Sequence, residues 1–208
     1  MRRPEFIARQ ASRPHGVLGR LLARVMAIET AALNDEALEL LALRATDRLL
    51  EVGFGHGRTI RRAAMQVPWG FVAGVDISND MVRMARRRCS DLLGKGLVGL
   101  SVGDGRSLPE ADHSFDKALC VHTIYFWKEP ANNLHEIFRV LKPNGQLVLG
   151  FRAKSATGSA ADFPASVYTF YSTHEVRALL RAAGFVKIDM RNARALPGEM
   201  FLATAQRP

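Results

Sequence analysis

From Asp47 onward the chain alternates short leucine-rich or β-branched runs with helical patterns. Few folds tolerate that rhythm other than a parallel sheet covered by helices on both faces. Asp47–Val52 reads as a first strand closed by glycines, and Thr59–Gln66 as the helix behind it, stopped by Pro68 and Gly70. Phe71–Val75 is a second strand, with Ser78 as N-cap of a helix reaching Leu93. Val98–Val102 and Asp116–His122 follow as strands, then a helix over Pro130–Leu141 closed by Lys142-Pro143-Asn144-Gly145. Gln146–Arg152 is a fifth strand, Thr173–Ala183 a helix stopped by Gly184, and Val186–Asn192 and Met200–Ala205 the last two strands.

The 208 residues suit one α/β domain and would cramp two. Residues 1–46 lie outside the rhythm and carry two helical patterns, Val17–Ala27 and Asp35–Leu43. They are expected to form an N-terminal helical cap on a domain spanning 47–208. The stretch Ala153–Phe170, rich in Ser, Ala and Gly with Phe163, Tyr168 and Phe170 among them, is also irregular. Ligands of open α/β sheets bind beyond the carboxyl ends of the strands, and both segments could fold over that edge. A plain packing helix and a plain surface loop are the alternatives.

The net charge is +9, carried mostly by arginines along helix faces, such as Arg58, Arg61 and Arg62, or Arg83, Arg86, Arg87 and Arg88. No aromatic and basic stripe accompanies them, so a solvated basic surface is expected and a nucleic-acid partner is disfavoured. Two distant cysteines, Cys89 and Cys120, match no metal-ligand spacing. No metal site is expected, and a cytoplasmic setting is. Apolar runs are strand-sized, so neither a signal peptide nor a membrane span is expected. In the first 30 residues Arg2, Arg3, Arg9, Arg13, Arg20 and Arg24 interleave with Ile7, Val17, Leu18, Leu21, Leu22 and Val25. Besides a cap, that pattern suits a peripheral membrane-surface helix or a transit peptide, the latter opposed by Glu5.

Chemistry concentrates in Glu51-Val52-Gly53-Phe54-Gly55-His56-Gly57. A strand running into close-set glycines and then a helix lets backbone N–H groups approach a ligand. The dinucleotide fingerprint is G-x-G-x-x-G, whereas these glycines fall as G-x-G-x-G, with Arg58 where the final small residue should pack. Glu51 would repel a pyrophosphate and attract an ammonium. Asp76, at the tip of the second strand in Gly74-Val75-Asp76-Ile77-Ser78, stands where this architecture holds ribose hydroxyls. Asp104 and Gly105, after the third strand, offer a carboxylate and a backbone N–H suited to an adenine edge, although Asp-Gly alone is simply a turn.

These pieces, with Phe115-Asp116 and Arg139-Val140-Leu141-Lys142-Pro143-Asn144-Gly145, resemble the class I S-adenosylmethionine (SAM)-dependent methyltransferases over about Leu49–Phe151. The likeness is strongest to the small-molecule group of the ubiquinone-biosynthesis type. It implies an α/β, doubly wound, mostly parallel seven-stranded Rossmann-like sheet whose last strand is antiparallel. It implies SAM as cofactor, with Glu51, Gly53, Gly55 and Gly57 at the methionine moiety and Asp76 with Ile77 at the ribose. Asp104, Gly105 and Met81 would take adenine, and Val121 would border the cofactor. The Asn/Asp-Pro-Pro-Tyr/Phe signature of amino-methylating enzymes and the multiple cysteines of arsenite methyltransferases are both absent.

Methyl transfer from a sulfonium needs mainly an acceptor held in line, and a base only where the acceptor must lose a proton. His122 is the candidate base because its ordinary pKa lies near neutrality, with Tyr125 beside it; a role in the pocket wall competes for both. Tyr125, Phe126 and Trp127 suggest a small-molecule, partly apolar acceptor. An RNA- or protein-directed methyltransferase, a dinucleotide-dependent oxidoreductase and a non-catalytic SAM-binding protein are the rivals. The oligomeric state is left open.

Overall fold

A computed structural model of the chain describes residues 4–154, 162–194 and 200–208. Three helices, α1 (Glu5–Ser12), α2 (Gly16–Glu29) and α3 (Ala31–Leu41), precede the first strand. The alternating part then runs β1 (Arg48–Val52), α4 (Arg58–Gln66), β2 (Phe71–Asp76), α5 (Asn79–Arg88), α6 (Ser90–Gly94) and β3 (Val98–Val102). It continues through β4 (Phe115–Val121), a 3-10 turn (Ile124–Phe126), α7 (Pro130–Val140), β5 (Leu141–Arg152), α8 (Thr173–Ala182), β6 (Val186–Asn192) and β7 (Met200–Gln206). The seven strands lie in the order β3-β2-β1-β4-β5-β7-β6. β1 to β5 pair in parallel, and β7 runs antiparallel to both β5 and β6. The doubly wound sheet is therefore the one expected.

Strict alternation of side chains sorts the strands into two cores. Leu50 and Val52 of β1, Ala118 and Cys120 of β4, and Leu147, Leu149 and Phe151 of β5 face α7 and α8. Leu49, Leu119, Val121 and Val148 point the other way, toward α3, α4 and α5. The central strands are buried on both faces, which leaves only their carboxyl ends to carry chemistry.

Three elements depart from expectation. The helix after β2 ends at Arg88 instead of Leu93, because buried Cys89 packs its thiol 3.8 Å from the Gly57 carbonyl and the chain turns there into α6. β5 begins at Leu141, which pairs with Phe115, before a register shift carried by Asn144 (φ 63°) brings Gln146 opposite Lys117. Helix α1 was not expected at all, and α3 lies over Ala31–Leu41 where Asp35–Leu43 was expected, ended by Ala42 in the left-handed region. Arg2, Arg3 and the 155–161 part of the Ser/Ala/Gly stretch lie outside the described residues. Among the described residues no helix is long and apolar enough to cross a membrane.

Candidate functional site

The β1–α4 turn is built from three left-handed glycines, Gly53 (φ 78°), Gly55 (φ 57°) and Gly57 (φ 81°), which serve different ends. A Cβ on Gly57 would stand 2.6 Å from that of Ala85, so this glycine lets α4 pack on α5. At Gly53 a Cβ would collide with the Thr123 methyl group. Only at Gly55, of these three, would a Cβ meet nothing within 4 Å. That open space is a cavity of about 980 Å³ along the carboxyl ends of the parallel strands.

Glu51, the last inward residue before the turn, is 3% exposed, and its Oε2 has no hydrogen-bond partner. Burial, and then the nearby Asp76 carboxylate, push its pKa up to about 8. Asp76 accepts the Gly55 N–H at Oδ2 (2.8 Å) and the Ser78 N–H at Oδ1 (2.8 Å). Burial raises its pKa, and those two bonds oppose the rise. Asp104 is half-exposed and already engaged, accepting the Arg106 N–H (3.1 Å) and Nε (2.8 Å), which hold its carboxyl below the usual range. Its turn is fixed by two outside groups. Asn133 Nδ2 donates to the Asp104 carbonyl (2.8 Å), and Arg139 donates to the carbonyls of Leu108 (3.1 Å) and Glu110 (2.9 Å).

Two further polar atoms on the cavity wall, Thr123 Oγ1 and Asn133 Oδ1, are buried without a partner. Buried polar groups are normally satisfied, so three orphans on one cavity mark it as the place a polar ligand belongs. The far end of the cavity is aromatic. Tyr125, Phe126, Phe163, Tyr168 and Phe170 interlock there, with Tyr125 5.3 Å from Phe126 and 5.3 Å from Phe170, and Tyr168 stacked 5.6 Å from Phe170. His122 links the two ends. It sits at φ 61° just past β4 with its Nδ1 2.5 Å from the Tyr125 hydroxyl.

The N-terminal helices close the remaining side. Ala11 to Pro14, Ala23, Met26, Ala27 and the first residues of α3 line the cavity. The α1–α2 turn is fastened beside Asp76: Ser78 Oγ donates to the Pro14 carbonyl (2.5 Å), and Gly16 N–H to Asp80 Oδ2 (2.6 Å). Arg58, where a small residue was wanted, forks onto Asp35 of α3 at 2.7 and 2.9 Å.

Residues 50–149 match the family model described as a methyltransferase domain. An uncharacterized methyltransferase of Bacillus subtilis is 29% identical over 184 residues, 88% of this chain and 96% of that protein. A demethylmenaquinone methyltransferase of Symbiobacterium thermophilum is 37% identical over 106 residues, which cover 50% of this chain but only 42% of the relative. A SAM-dependent methyltransferase structure from Aquifex aeolicus superposes with a TM-score of 0.71 at 22% identity, over 88% of this chain and 93% of that one. The chain is a class I SAM-dependent methyltransferase.

The cofactor of this methyltransferase is SAM, and the residues present fit it. An ammonium answers Glu51 Oε2, a buried carboxylate oxygen on the cavity wall with no hydrogen-bond partner. A diol answers Asp76, whose two oxygens keep lone pairs beyond the bonds they already accept. Of the residues singled out in the sequence, Glu51, Gly53, Gly55, Asp76, Ile77, Met81, Asp104, Val121, His122 and Tyr125 all line the cavity. Gly57 and Gly105 do not: Gly57 packs on Ala85, and Gly105 lies against Val52 and Asn133. Sequence reasoning missed Thr123 and Asn133, whose only mark is a burial that needs the fold to be seen.

The ground for His122 as a base also changes. Burial and then the Arg152 charge push its pKa down to about 4, while burial pushes the Tyr125 phenol well above its ordinary value. His122 is thus a neutral ring and a weak base, and Tyr125 stays protonated as a donor.

Proposed function

We propose that the chain transfers the SAM methyl group to a small, partly apolar acceptor seated in the aromatic end of the cavity. The observation that carries this reading is the division of one 980 Å³ cavity into an end with unpaired polar atoms and an end walled by five aromatic rings. Its volume is at the upper end of the roughly 300–1,000 Å³ range of ligand pockets, which suits a cofactor and an acceptor together. The name of the demethylmenaquinone relative agrees with an apolar acceptor of quinol type, although this chain spans less than half of that protein.

In this reading Glu51 pairs with the ammonium and Asp76 with the ribose, Gly55 leaves room for the methionine with Gly53 beside it on the cavity wall, and Ile77, Met81 and Asp104 surround the adenine. Val121 borders the cofactor, and Asn133 Oδ1 and Thr123 Oγ1 supply further polar contacts. When bound, the sulfonium supplies a methyl group whose leaving group is already good, so the chain's work is positioning. The aromatic wall orients the acceptor and excludes water. The neutral His122 ring accepts a hydrogen bond from the Tyr125 hydroxyl at Nδ1 and fixes that ring. A base near 4 facing a phenol near 10 would work against about six powers of ten, about 8 kcal/mol, so we assign His122 and Tyr125 to acceptor orientation. Residues 1–46 act as the cap on a domain of 47–208. The two buried free thiols agree with a cytoplasmic setting.

A methyl-transfer screen against quinols, phenols and amines, read as S-adenosylhomocysteine formation, tests the proposal. Turnover of tRNA or a protein in place of every small molecule would overturn it, as would calorimetric binding of a nicotinamide cofactor instead of SAM.

A further inference from the structure

Helix α2 has two apolar faces, and only one is used by the fold. Gly19 and Ala23 are buried, and with Met26 and Ala27 they turn toward the body of the protein. On the opposite side Val17 (76% exposed), Leu18, Leu21 (56%), Val25 and Ile28 (80%) form a stripe in water. At 100° per residue these five fall within an arc of about 100°. Monomers rarely leave such a continuous patch uncovered.

What borders the stripe identifies its partner. Arg20 and Arg24 run along one edge, and the one acidic residue of the helix, Glu29, is its last. Beyond that edge Arg20 lines a shallow groove with Arg83 and Arg87 of α5. Asp80 draws on Arg83 and, at 3.7 Å, on Arg20, which leaves the groove with more positive than negative charge. An apolar stripe flanked by arginines is the pattern of a helix lying in the plane of an anionic lipid surface, with the apolar side chains among the acyl chains and the guanidinium groups at the phosphates. A second copy of the chain would set the same arginines against each other, which disfavours self-association through this face.

We propose that the exposed face of α2 docks the protein on anionic membrane surfaces. Because Ala23, Met26 and Ala27 of the same helix line the cavity, docking brings the cavity next to membrane-dissolved molecules. That consequence rests on the acceptor reading above; the docking itself does not.

The test is co-sedimentation of the full chain with equimolar phosphatidylcholine and phosphatidylglycerol vesicles, with pure phosphatidylcholine vesicles as control. The wild type is expected to sediment with the anionic vesicles at low salt and to be released as salt rises. The double substitution Leu21→Glu with Val25→Glu, and separately Arg24→Glu, should each lower partitioning by about tenfold or more. Both variants should keep the wild-type SAM isotherm in calorimetry, which shows that fold and cofactor site survive. Failure of the wild type to bind anionic vesicles overturns the proposal. So does equal binding by Arg24→Glu, or a lipid-free dimer in light scattering that the leucine and valine substitutions dissolve.

Discussion

Replacing Glu51 by Gln removes a charge and a titration while keeping the side-chain shape, so its consequences can be worked through. The folded carboxyl has its pKa raised from 4.5 to about 8, so the folded state holds a proton that the unfolded chain releases. Stability contributed by that proton is fully present below pH 4.5 and is lost as pH rises through about 8. Between pH 5 and pH 9 the ligand-free wild type should therefore lose about 4 kcal/mol relative to Glu51→Gln. For a chain of this size that is a change of roughly 8–16 °C in the difference between their melting temperatures. Cofactor binding acts in the opposite direction, because an ammonium against Oε2 favours the carboxylate. At pH 7 the ligand-free carboxyl is mostly protonated, so binding should release close to one proton. Affinity should rise about tenfold from pH 6 to 7 and level off near pH 8, where a free α-amino group begins to lose its own proton. Calorimetry in two buffers of different ionisation enthalpy measures the released proton directly. The Gln variant should release none and bind about 1–3 kcal/mol more weakly. A wild type that releases no proton at pH 7, or a variant that keeps the wild-type pH dependence, would refute the pairing of Glu51 with the ammonium.

Asp76→Ala should weaken SAM binding by about 1–3 kcal/mol, measured by calorimetry on a variant whose circular dichroism is unchanged; unaltered affinity would remove Asp76 from the ribose. Gly55→Ala and Gly57→Ala should separate ligand room from packing. The first has open space and should cost about 1–2 kcal/mol of stability for its positive φ while abolishing binding. The second drives a Cβ into Ala85 and should cost about 2–5 kcal/mol, visible as an earlier denaturant midpoint. His122→Asn should lower kcat by less than about tenfold and leave the pH–rate profile in place. A loss of a hundredfold or more, with an ionisation removed from the profile, is the signature of a general base and would restore that role.

The contrast between those residues shows what was legible in advance. Strand positions and the sheet were readable because the central strands are buried on both faces, so Leu49-Leu50, Val72-Ala73 and Leu147-Val148-Leu149 are apolar without interruption. Glu51 and Asp76 stand out in the sequence because a carboxylate at a strand tip interrupts such a run and is costly to bury, a cost that backbone N–H groups partly offset at Asp76 and that no hydrogen bond offsets at Glu51 Oε2. Gly57 and Gly105, expected at the cofactor, do not line the cavity, because glycine is demanded equally by a ligand and by a packed neighbour. The letter is the same whether the missing Cβ makes room for a cofactor or for Ala85. Helix α1 and the orphaned oxygens of Thr123 and Asn133 left no local trace, since their significance arises only when residues far apart in sequence meet at the cavity.

On the proposed reading the cofactor end draws on the carboxyl ends of β1 to β4 and on Asn133 of α7, elements packed into the sheet and its covering helices. The aromatic end is set by Tyr125 and Phe126 after β4 and by Phe163, Tyr168 and Phe170, which belong to no strand or α-helix and hold each other by ring contacts of 4.9 to 5.6 Å. Substitutions there change pocket shape at little cost to the sheet. If the aromatic end seats the acceptor as proposed, the chemistry is fixed by the buried part of the fold, and the choice of acceptor by a cluster that can be recut with little effect on the sheet. Phe163→Ala or Phe170→Ala should consequently shift KM between acceptors while leaving the SAM dissociation constant within about twofold, because the lost ring contacts, about 0.5–1.5 kcal/mol each, lie at the other end of the cavity. If either change weakened SAM as much as Asp76→Ala does, the two ends would be one coupled site, and the division of labour argued here would be wrong.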